Sequence, residues 1–411
     1  MPNSYSVNLP LDQINPSDAS LYQQDAQWPM FKRLREEDPV HYCANSDFGP
    51  FWSITRFDDI VEIEKDTERF SSFPAIVLGD QDPEFLVQQF IAMDDPRHGG
   101  QRKGVTPAVS PQSLTLMEPL IRERIGTIMD ELPIGEQFNW VDRVSIELTT
   151  QMLATLFDFP YEERYKLTFW SDMATASPEI AGDDSVTKEQ RQAALTECLE
   201  VFSGIWNERA QQSPEGKYDF ITLMAHSQAF EDMDPMEFLG NIILLIVGGN
   251  DTTRNSISGG VLMLNQYPEQ YEKLKADQSL VPDMVSEIIR FQTPLMHMRR
   301  TATEDVEFGG KRISKGDKVA LWYISGNRDE SKIERADEFL IDRHRARNHV
   351  SFGFGVHRCM GNRLAEMQLR IVWEEILKRF DRVEVVGEAT RLKSNFVRGI
   401  TDLPVVLHAK T

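Results

Sequence analysis

Segment 351–361 constrains this chain more than any other, because it places one cysteine in a loop rich in glycine and aromatic residues, directly before a predicted helix. That helix, expected over about 362–380, would direct its positive end and its unpaired backbone N–H groups at Cys359. Such groups stabilise a thiolate. The setting therefore favours a charged metal ligand over a buried structural thiol, the usual role of a lone cysteine.

The identity of the metal follows from what surrounds Cys359. Zinc is disfavoured because the other two cysteines, Cys43 and Cys198, are isolated, and no Cys-x-x-Cys or His-x-x-x-His pair supplies further ligands. Haem iron needs only one thiolate, which promotes oxygen cleavage. The loop predicts a haem-thiolate site in which glycines allow a close approach of the flat ring. The residues expected to meet the ring are Phe352, Gly353, Gly355 and Gly361.

The pattern Phe-Gly-x-Gly-x-His-x-Cys-x-Gly at 352–361 resembles the ligand loop of the cytochrome P450 monooxygenases. The resemblance covers nearly the whole chain, since the order of many predicted helices and two small strand regions is similar. It implies a mainly α fold, a helix-rich single domain over 1–411 with small β-sheets. It also implies haem b with an axial cysteine thiolate, and O2 as co-substrate.

Helical periodicity dominates the chain, with strand patterns near both ends. Segment 73–91 has no clear period and predicts a long irregular loop that covers a site. Strands are predicted as a pair at 39–42 and 51–55 and as a patch at 306–324. Helices are predicted at 57–65, 97–105, 113–131, 141–157, 161–173, 188–212 and 235–266.

The charge and the apolar runs limit the partners of this chain. Lysine and arginine number 44 against 65 acidic residues, a net charge of −21, which argues against nucleic acid and anionic membranes as partners. No stretch approaches the about 18 apolar residues of a membrane span. The first residues, with Asp12 and Asp18, lack the basic start and apolar run of a signal peptide. We expect a cytoplasmic protein, which agrees with three widely spaced cysteines.

A polar break interrupts the apolar helix predicted at 235–266. Two adjacent glycines there cost about 2 kcal/mol of helix propensity relative to alanine, and they precede Asp251 and Thr252. From the residues alone, a tight helix crossing explains the break as well as a functional site does. Beside a haem, Gly248 would leave room for a diatomic ligand, and threonine hydroxyls would bond to the preceding turn and widen the helix. The resemblance assigns Asp251 to proton relay and Thr252 to a hydrogen bond at the oxygen site.

Two further sets of residues are assigned a role only by the resemblance. Glu287 and Arg290 lie at i and i+3, a common spacing on helix surfaces, but match the family's Glu-x-x-Arg ion pair, whose third member here is Arg343. The family's Asp-x-Pro-x-His-x-x-x-Arg element binds a haem propionate. The residues that match the propionate contacts are His98, Arg102, Arg300 and His357, with Arg299 as the alternative to its neighbour.

A basic island lies around the cysteine loop, opposed only by Glu366. Scattered solvated arginines with one internal ion pair explain it as well as a docking surface does. The resemblance implies that electrons come from a separate [2Fe–2S] ferredoxin and its NAD(P)H-dependent reductase, and an acidic ferredoxin would suit a basic surface. The island comprises Arg343, Arg345, Arg347, Arg358, Arg363 and Arg370.

The amino-acid sequences of segments 249–255, 322–330 and 352–370 are similar to those of the bacterial alkane and fatty-acid terminal hydroxylases. This implies hydroxylation of a terminal C–H bond of medium-chain alkanes or fatty acids. A steroid or terpenoid side-chain hydroxylase is the alternative enzyme, and a haem-based sensor the alternative of another class. Residues expected to line the substrate pocket, each equally compatible with core packing, are Ile76, Val77, Leu78, Leu244, Val247, Leu295, Met296, Phe396 and Val397.

Overall fold

The computed structural model describes residues 9–176 and 186–410. Within these ranges the protein is mainly helical with small β-sheets, as predicted. The helices are α1 Ala19–Gln23, α2 Trp28–Glu37, α3 Phe57–Lys65, α4 Arg97–Val105, α5 Pro111–Asp130, α6 Glu147–Phe157, α7 Tyr165–Thr175, α8 Lys188–Arg209, α9 Phe220–Ala225, α10 Pro235–Gln266, α11 Pro268–Ala276, α12 Val281–Gln292, α13 Tyr323–Gly326 and α14 Asn362–Arg379.

The strands form four sheets among the described residues. The strands are β1 Val40–Cys43, β2 Phe51–Ile54, β3 Phe70–Ser71, β4 Gln137–Asn139, β5 Met298–Ala302, β6 Val306–Phe308, β7 Lys311–Ile313, β8 Lys318–Leu321, β9 Phe380–Val385, β10 Thr390–Arg391, β11 Ile400–Asp402 and β12 Pro404–Ala409. The largest sheet has the order β1-β2-β8-β5-β3, with β2 and β8 parallel and the other pairs antiparallel. The remaining sheets are β4-β12-β9, β10-β11 and β6-β7.

Local capping chemistry explains where the long helices begin. The Asp234 carboxylate accepts from the first backbone N–H groups of α10, and Pro235 occupies the first turn, where no N–H is needed. Ser110 caps α5 in the same way, so this helix starts at Pro111, ahead of the predicted 113. Helix α8 begins with a capping box between Thr187 and Gln190.

Other predicted boundaries were also wrong. The helix predicted at 188–212 ends at Arg209, and three further elements differ for local reasons. The predicted helix 141–157 begins with a π-helical turn, Val141–Ile146, before α6. The predicted helix 161–173 is a 3₁₀ turn, Tyr161–Glu163, followed by α7. The predicted strand patch 306–324 ends at Leu321, because the chain then turns into the short helix α13.

Helix α10 forms the centre of the molecule. It packs against α6, α7, α8, α12 and α14, and most of its side chains are buried. Helix α14 packs between α5 and α12, so its first turn is held at a fixed position relative to α10. The two segments singled out in the sequence, the cysteine loop and the polar break of α10, are thereby positioned by the same core. Among the described residues, no helix has both the length and the apolar character needed to cross a membrane.

Candidate active site

The cysteine loop is a tight turn closed by its own backbone. The Cys359 N–H donates to the Phe352 carbonyl at 2.8 Å. Gly353 and Gly355 adopt φ values of +66° and +64°, which side chains rarely tolerate. A Cβ atom on Gly355 would also lie 2.5 Å from the Glu64 carbonyl oxygen. The loop therefore keeps its shape only with glycine at this position, packed against the end of α3.

The Cys359 sulfur lies deep in the protein but is open to an internal cavity. Burial raises the pKa of the thiol, while the N–H groups of Gly361 and Asn362 and the charges of Arg102 and Arg358 oppose this. The predicted helix start does face the sulfur, since α14 begins at Asn362. Its stabilising effect on the thiolate is present, although burial outweighs it.

One large apolar cavity extends from Cys359 to the polar break of α10 and the loop 73–91. Phe352 and Gly361 line it on the cysteine side. A Cβ atom on Gly361 would meet no other atom within 4 Å, so this face of the loop is open. Predicted pocket residues that line the cavity are Ile76, Val77, Leu244, Val247, Leu295 and Phe396.

Three predicted pocket residues do not line this cavity. Leu78 and Met296 belong to the core cluster around Phe31 and Trp322 and do not line the cavity. Val397 is buried beside Leu295, to which it forms an isolated β-bridge. Adjacent residues in an extended segment point in different directions, so Met296 and Val397 are turned into the core while their neighbours Leu295 and Phe396 reach the cavity.

The loop 73–91 forms one wall of this cavity and is attached at both ends. Near its start, the Arg299 N–H donates to the Ile76 carbonyl, and Asp80 pairs with Arg299 and Lys318, all at 2.8 Å. Near its end, the Phe90 N–H donates to Asn241 Oδ1 on α10 at 2.8 Å. The prediction of an irregular segment is confirmed, because between β3 and the 3₁₀ turn Phe90–Ala92 these described residues form neither helix nor strand.

The polar break of α10 forms the opposite wall. The Thr252 hydroxyl donates to the Gly248 carbonyl at 2.7 Å, as predicted, but the segment remains α-helical and is not widened. A Cβ atom on Gly248 would meet no atom within 4 Å, so this residue borders open cavity. Gly249 instead permits close helix packing, because a Cβ there would lie 2.8 Å from Leu153 of α6.

Asp251 does not line the cavity but lies one residue behind it. Its carboxylate accepts from Arg254 at 2.5 Å and from Ser171 at 3.2 Å. Arg254 also bonds Asp172 of α7 at 3.2 Å, and the side chain of Asp172 is 52% exposed. Burial raises the pKa of Asp251 to about 6, with Arg254 opposing the shift. A carboxyl group that titrates near neutrality thus connects the cavity side of α10 with the surface.

The four predicted propionate contacts do not lie equally close to the cavity. Arg102, Arg300 and His357 line it, whereas His98 lies behind His357, with ring centroids 4.0 Å apart. Both nitrogens of His98 contact backbone carbonyls. The alternative Arg299 does not line the cavity and instead pairs with Asp80.

His357 has one nitrogen that none of the described residues satisfies. Nε2 lies 2.9 Å from Ser72 Oγ, while Nδ1 is buried without a hydrogen-bond partner in the described part of the chain. Burial, with the nearby cations Arg300 and Arg102, lowers the pKa of His357 to about 2. The neutral ring can therefore donate from one nitrogen to an acidic group beside the cavity.

Glu287, Arg290 and Arg343 form a buried ion triad. Glu287 Oε1 lies 2.7 Å from Arg290 Nη2, and Oε2 lies 3.0 Å from Arg343 Nε. Arg290 also donates to the Asn327 carbonyl at 2.6 Å, and Asn327 Nδ2 donates to Ser351 Oγ at 2.8 Å. The triad thereby connects α12 to the start of the cysteine loop.

The basic island divides into inner and outer members. Arg343 is buried in the triad, and Arg370 pairs with Glu118 and Glu374. These two arginines are therefore unavailable to a partner. The remaining members, Arg345, Arg347, Arg358 and Arg363, are exposed, as are Phe354 and Val356 at the tip of the cysteine loop.

These residues fit haem b. The thiol of Cys359 opens onto a cavity whose wall carries no side chain at Gly248 and Gly361. The guanidinium groups of Arg102 and Arg300 and the unsatisfied Nδ1 of His357 also lie beside this cavity. Cys359 would bind the iron, and Arg102, Arg300 and His357 would bind propionates. No group of three or more His, Cys, Asp or Glu side chains in 9–176 and 186–410 could hold another metal ion.

Fold and site together define a haem-thiolate protein, and comparison with known proteins agrees. The cytochrome P450 family model matches residues 49–402, and the chain belongs to this family of monooxygenases, which use haem b with cysteine ligation and O2.

Relatives within the family match over nearly their full length. Linalool 8-monooxygenase of Pseudomonas putida is 37% identical over 95% of this chain and 98% of its own. The methyl-branched lipid omega-hydroxylase of Mycobacterium bovis is 32% identical over 91% and 90%. Among solved structures, CYP153D17 from Sphingomonas sp. PAMC 26605 is 46% identical, with a TM-score of 0.91 over 97% of this chain and all 100% of that one.

Sequence reasoning missed one group at this site. Glu64 of α3 and Tyr323 of α13 are buried, and the Tyr323 hydroxyl donates to Glu64. Glu64 Oε2 lies 3.1 Å from Arg300 Nη2. The available signal was weak: Glu64 occupies an apolar position of an amphipathic helix, next to buried Ile60 and Ile63, and a carboxylate there requires a partner.

Proposed function

We propose that this monooxygenase hydroxylates the terminal C–H bond of medium-chain alkanes or fatty acids. The observation that carries the proposal is the lining of the cavity between α10 and the loop 73–91, which is predominantly apolar side chains. A chain with few polar groups loses little on entering such a cavity and gains from the removal of its surface from water. Internal C–H bonds are weaker than terminal ones, so terminal attack requires the walls to present the chain end-on.

Two relatives support the choice of a chain end. One is a linalool 8-monooxygenase, and position 8 of linalool is a methyl carbon at an end of its chain. The other is named an omega-hydroxylase of methyl-branched lipids, which again places the reaction at a terminus. Their substrates differ in shape, while the position of attack is shared. Because the position of attack is shared, we infer that this chain also hydroxylates a terminal carbon.

Asp251 and Thr252 are proposed to deliver protons. When bound, haem supplies the activation of O2. The Asp251 carboxyl can hold a proton near neutral pH, and its hydrogen-bonded neighbours lead through Arg254 to the exposed Asp172. Thr252 follows Asp251 on the helix and lines the cavity, so its Oγ1 is the group that would present a proton to the reacting site.

Electrons are proposed to come from a [2Fe–2S] ferredoxin reduced by an NAD(P)H-dependent reductase. The exposed arginines Arg345, Arg347, Arg358 and Arg363 surround a loop tip whose side chains Phe354 and Val356 are exposed. An acidic partner would be steered to such a surface, and the apolar tip would be covered on contact. The partner would then lie directly over the backbone of the Cys359 loop.

A terpenoid or steroid substrate is the second candidate, and the linalool-oxidising relative favours it. The haem-loaded protein should be titrated with octane, dodecanoic acid, linalool and a sterol while the haem spin state is followed in the absorption spectrum. Products formed with a ferredoxin and its reductase should then be identified by mass spectrometry. A spin shift and a terminal alcohol or ω-hydroxy acid from the linear chains is expected. Response to linalool or the sterol alone would replace the first candidate by the second.

A pair of valine substitutions on α10 tests the role of the cavity wall. Val247 lines the cavity, whereas Val261 is buried elsewhere on the same helix. Val247→Ala should widen the wall and raise the yield of internal alcohols relative to terminal ones. Val261→Ala, the matched control, should lower stability slightly and leave the product ratio unchanged. Equal product ratios in both variants would contradict the proposed channel.

A further inference from the structure

Glu64 is a fully buried carboxylate beside the cavity, and the proton relay does not use it. Its side chain has 0% exposure and contacts two polar partners, Arg300 Nη2 at 3.1 Å and the hydroxyl of Tyr323. Both partners line the cavity, whereas Glu64 does not. Glu64 is therefore separated from any occupant of the cavity by the two side chains that it holds.

The surroundings of Glu64 disfavour a negative charge on its side chain. It lies in the last turn of α3, where the helix dipole disfavours an anion, and it is removed from water. The Arg300 guanidinium offsets this cost, and its other arm donates to the Arg299 carbonyl at 2.9 Å. The position of Arg300 is thus determined on two sides.

The location of Glu64 connects the Glu64–Arg300 ion pair to the cysteine loop. Its own carbonyl oxygen lies where a side chain on Gly355 would be, and the Tyr323 hydroxyl lies 3.2 Å from the Cβ position of Gly353. One short segment of α3 therefore contacts both the loop that carries Cys359 and the arginine expected to meet a propionate. A charge placed there acts on both Arg300 and the cysteine loop at short range and in a poorly solvated environment.

We propose that Glu64 is a positioning residue for the haem: it directs Arg300 at the propionate, and its negative charge keeps the reduction potential of the bound haem low. The ferric form carries one more positive charge than the ferrous form. A nearby anion therefore stabilises the ferric form and makes reduction harder, whereas Arg300 has the opposite effect. The Tyr323 hydrogen bond withdraws part of the charge of Glu64 and moderates its effect.

Redox titration of the haem-loaded protein, followed in the absorption spectrum, tests the proposal through the sign of each shift. Glu64→Gln, which keeps the shape and removes the charge, should move the midpoint potential to more positive values. Arg300→Gln and Tyr323→Phe should both move it to more negative values. Glu62→Gln, the matched control, makes the same charge change at an exposed position of α3 and should leave the potential unchanged.

Opposite signs separate this proposal from a merely structural role. If the pair only maintained the fold, Glu64→Gln and Arg300→Gln would both loosen the site and shift the potential in one direction, and that result would overturn the proposal. An equal potential in Glu64→Gln and Glu62→Gln would also overturn it. If Glu64→Gln failed to retain haem, Tyr323→Phe would decide, since an unchanged or more positive potential in that variant contradicts the proposed charge effect.

Discussion

Replacement of Glu287 by alanine removes the carboxylate shared by two buried guanidinium groups. In the folded protein Glu287 accepts from Arg290 at 2.8 and 2.7 Å, from Arg343 at 3.0 Å and from the Leu340 N–H at 2.9 Å. In the variant both arginines keep backbone carbonyl partners but lose their counter-charge. Breaking a buried pair by removing one partner costs about 3–5 kcal/mol. The total stability of a typical domain is about 5–15 kcal/mol, so this loss is a large fraction.

The loss should extend to the cofactor site, because Arg290 bonds the Asn327 carbonyl and Asn327 holds both Ser351 and the Val350 N–H. Guanidinium unfolding followed by fluorescence gives the stability, and the ratio of haem absorbance to protein absorbance gives haem content. We expect Glu287→Ala to lose about 3–5 kcal/mol and most of its haem, with Glu287→Gln intermediate.

A surface pair in the same region provides the control. Glu366 pairs with Arg347 at 3.2 Å, and the arginine side chain is 75% exposed. Glu366→Ala should cost less than about 1 kcal/mol, as exposed ion pairs generally do, and should keep its haem. If Glu287→Ala remained as stable and as fully loaded as Glu366→Ala, the assignment of the triad as the connection between α12 and the cysteine loop would be refuted.

Three other predictions test separate features. The pKa of Asp251 is about 6 in the folded protein and exceeds the ordinary value of 3.8, so the contribution of this group to stability falls as pH rises between these values. The free energy of unfolding, measured at several pH values, should show that decline in the wild type relative to Asp251→Asn. Parallel curves for the two proteins would contradict the prediction. Charge reversal at Arg347 or Arg363 should slow ferredoxin-supported turnover and spare substrate binding, an effect that must weaken with salt; turnover independent of salt argues against the docking surface. Gly355→Ala should lower the melting temperature more than Gly310→Ala, because both have positive φ but only the first meets a backbone oxygen; equal losses would exclude that contact.

The fold could be predicted to a large extent because the long helices carry strong local signals. The apolar run of α10 with Asp234 and Pro235 before it, and α14 after a glycine-rich loop, were found close to their observed bounds. Strand β5 and the C-terminal strands β9 to β12 were missed as elements. Strand β5 pairs with β3 and strand β12 pairs with β4, each more than two hundred positions earlier in the chain, and β10 and β11 are only two and three residues long. Local periodicity contains neither kind of information.

The cofactor side of the site was more predictable than the substrate side. Cys359 and Arg300 belong to motifs in which each position has a chemical requirement. Leu78 and Met296 belong to apolar runs where a neighbouring residue meets the same requirement, and only the direction of the side chain separates cavity from core. Glu64 was missed because its partner Arg300 is more than two hundred positions away in the sequence, and proximity of that kind follows only from the fold.

The two attachments of the loop 73–91 have a consequence for how the specificity of this enzyme can change. One attachment joins the loop to β5 and β8 through Asp80, and the other joins Phe90 to α10. Residues 81–89 span the distance between them, and neither attachment involves the cysteine loop. Lengthening or shortening this span would alter the volume available to a substrate without moving the Cys359 sulfur or the Asp251 carboxyl group on α10. Substrate range can thus diverge among related proteins through loop length while the oxidation chemistry stays the same.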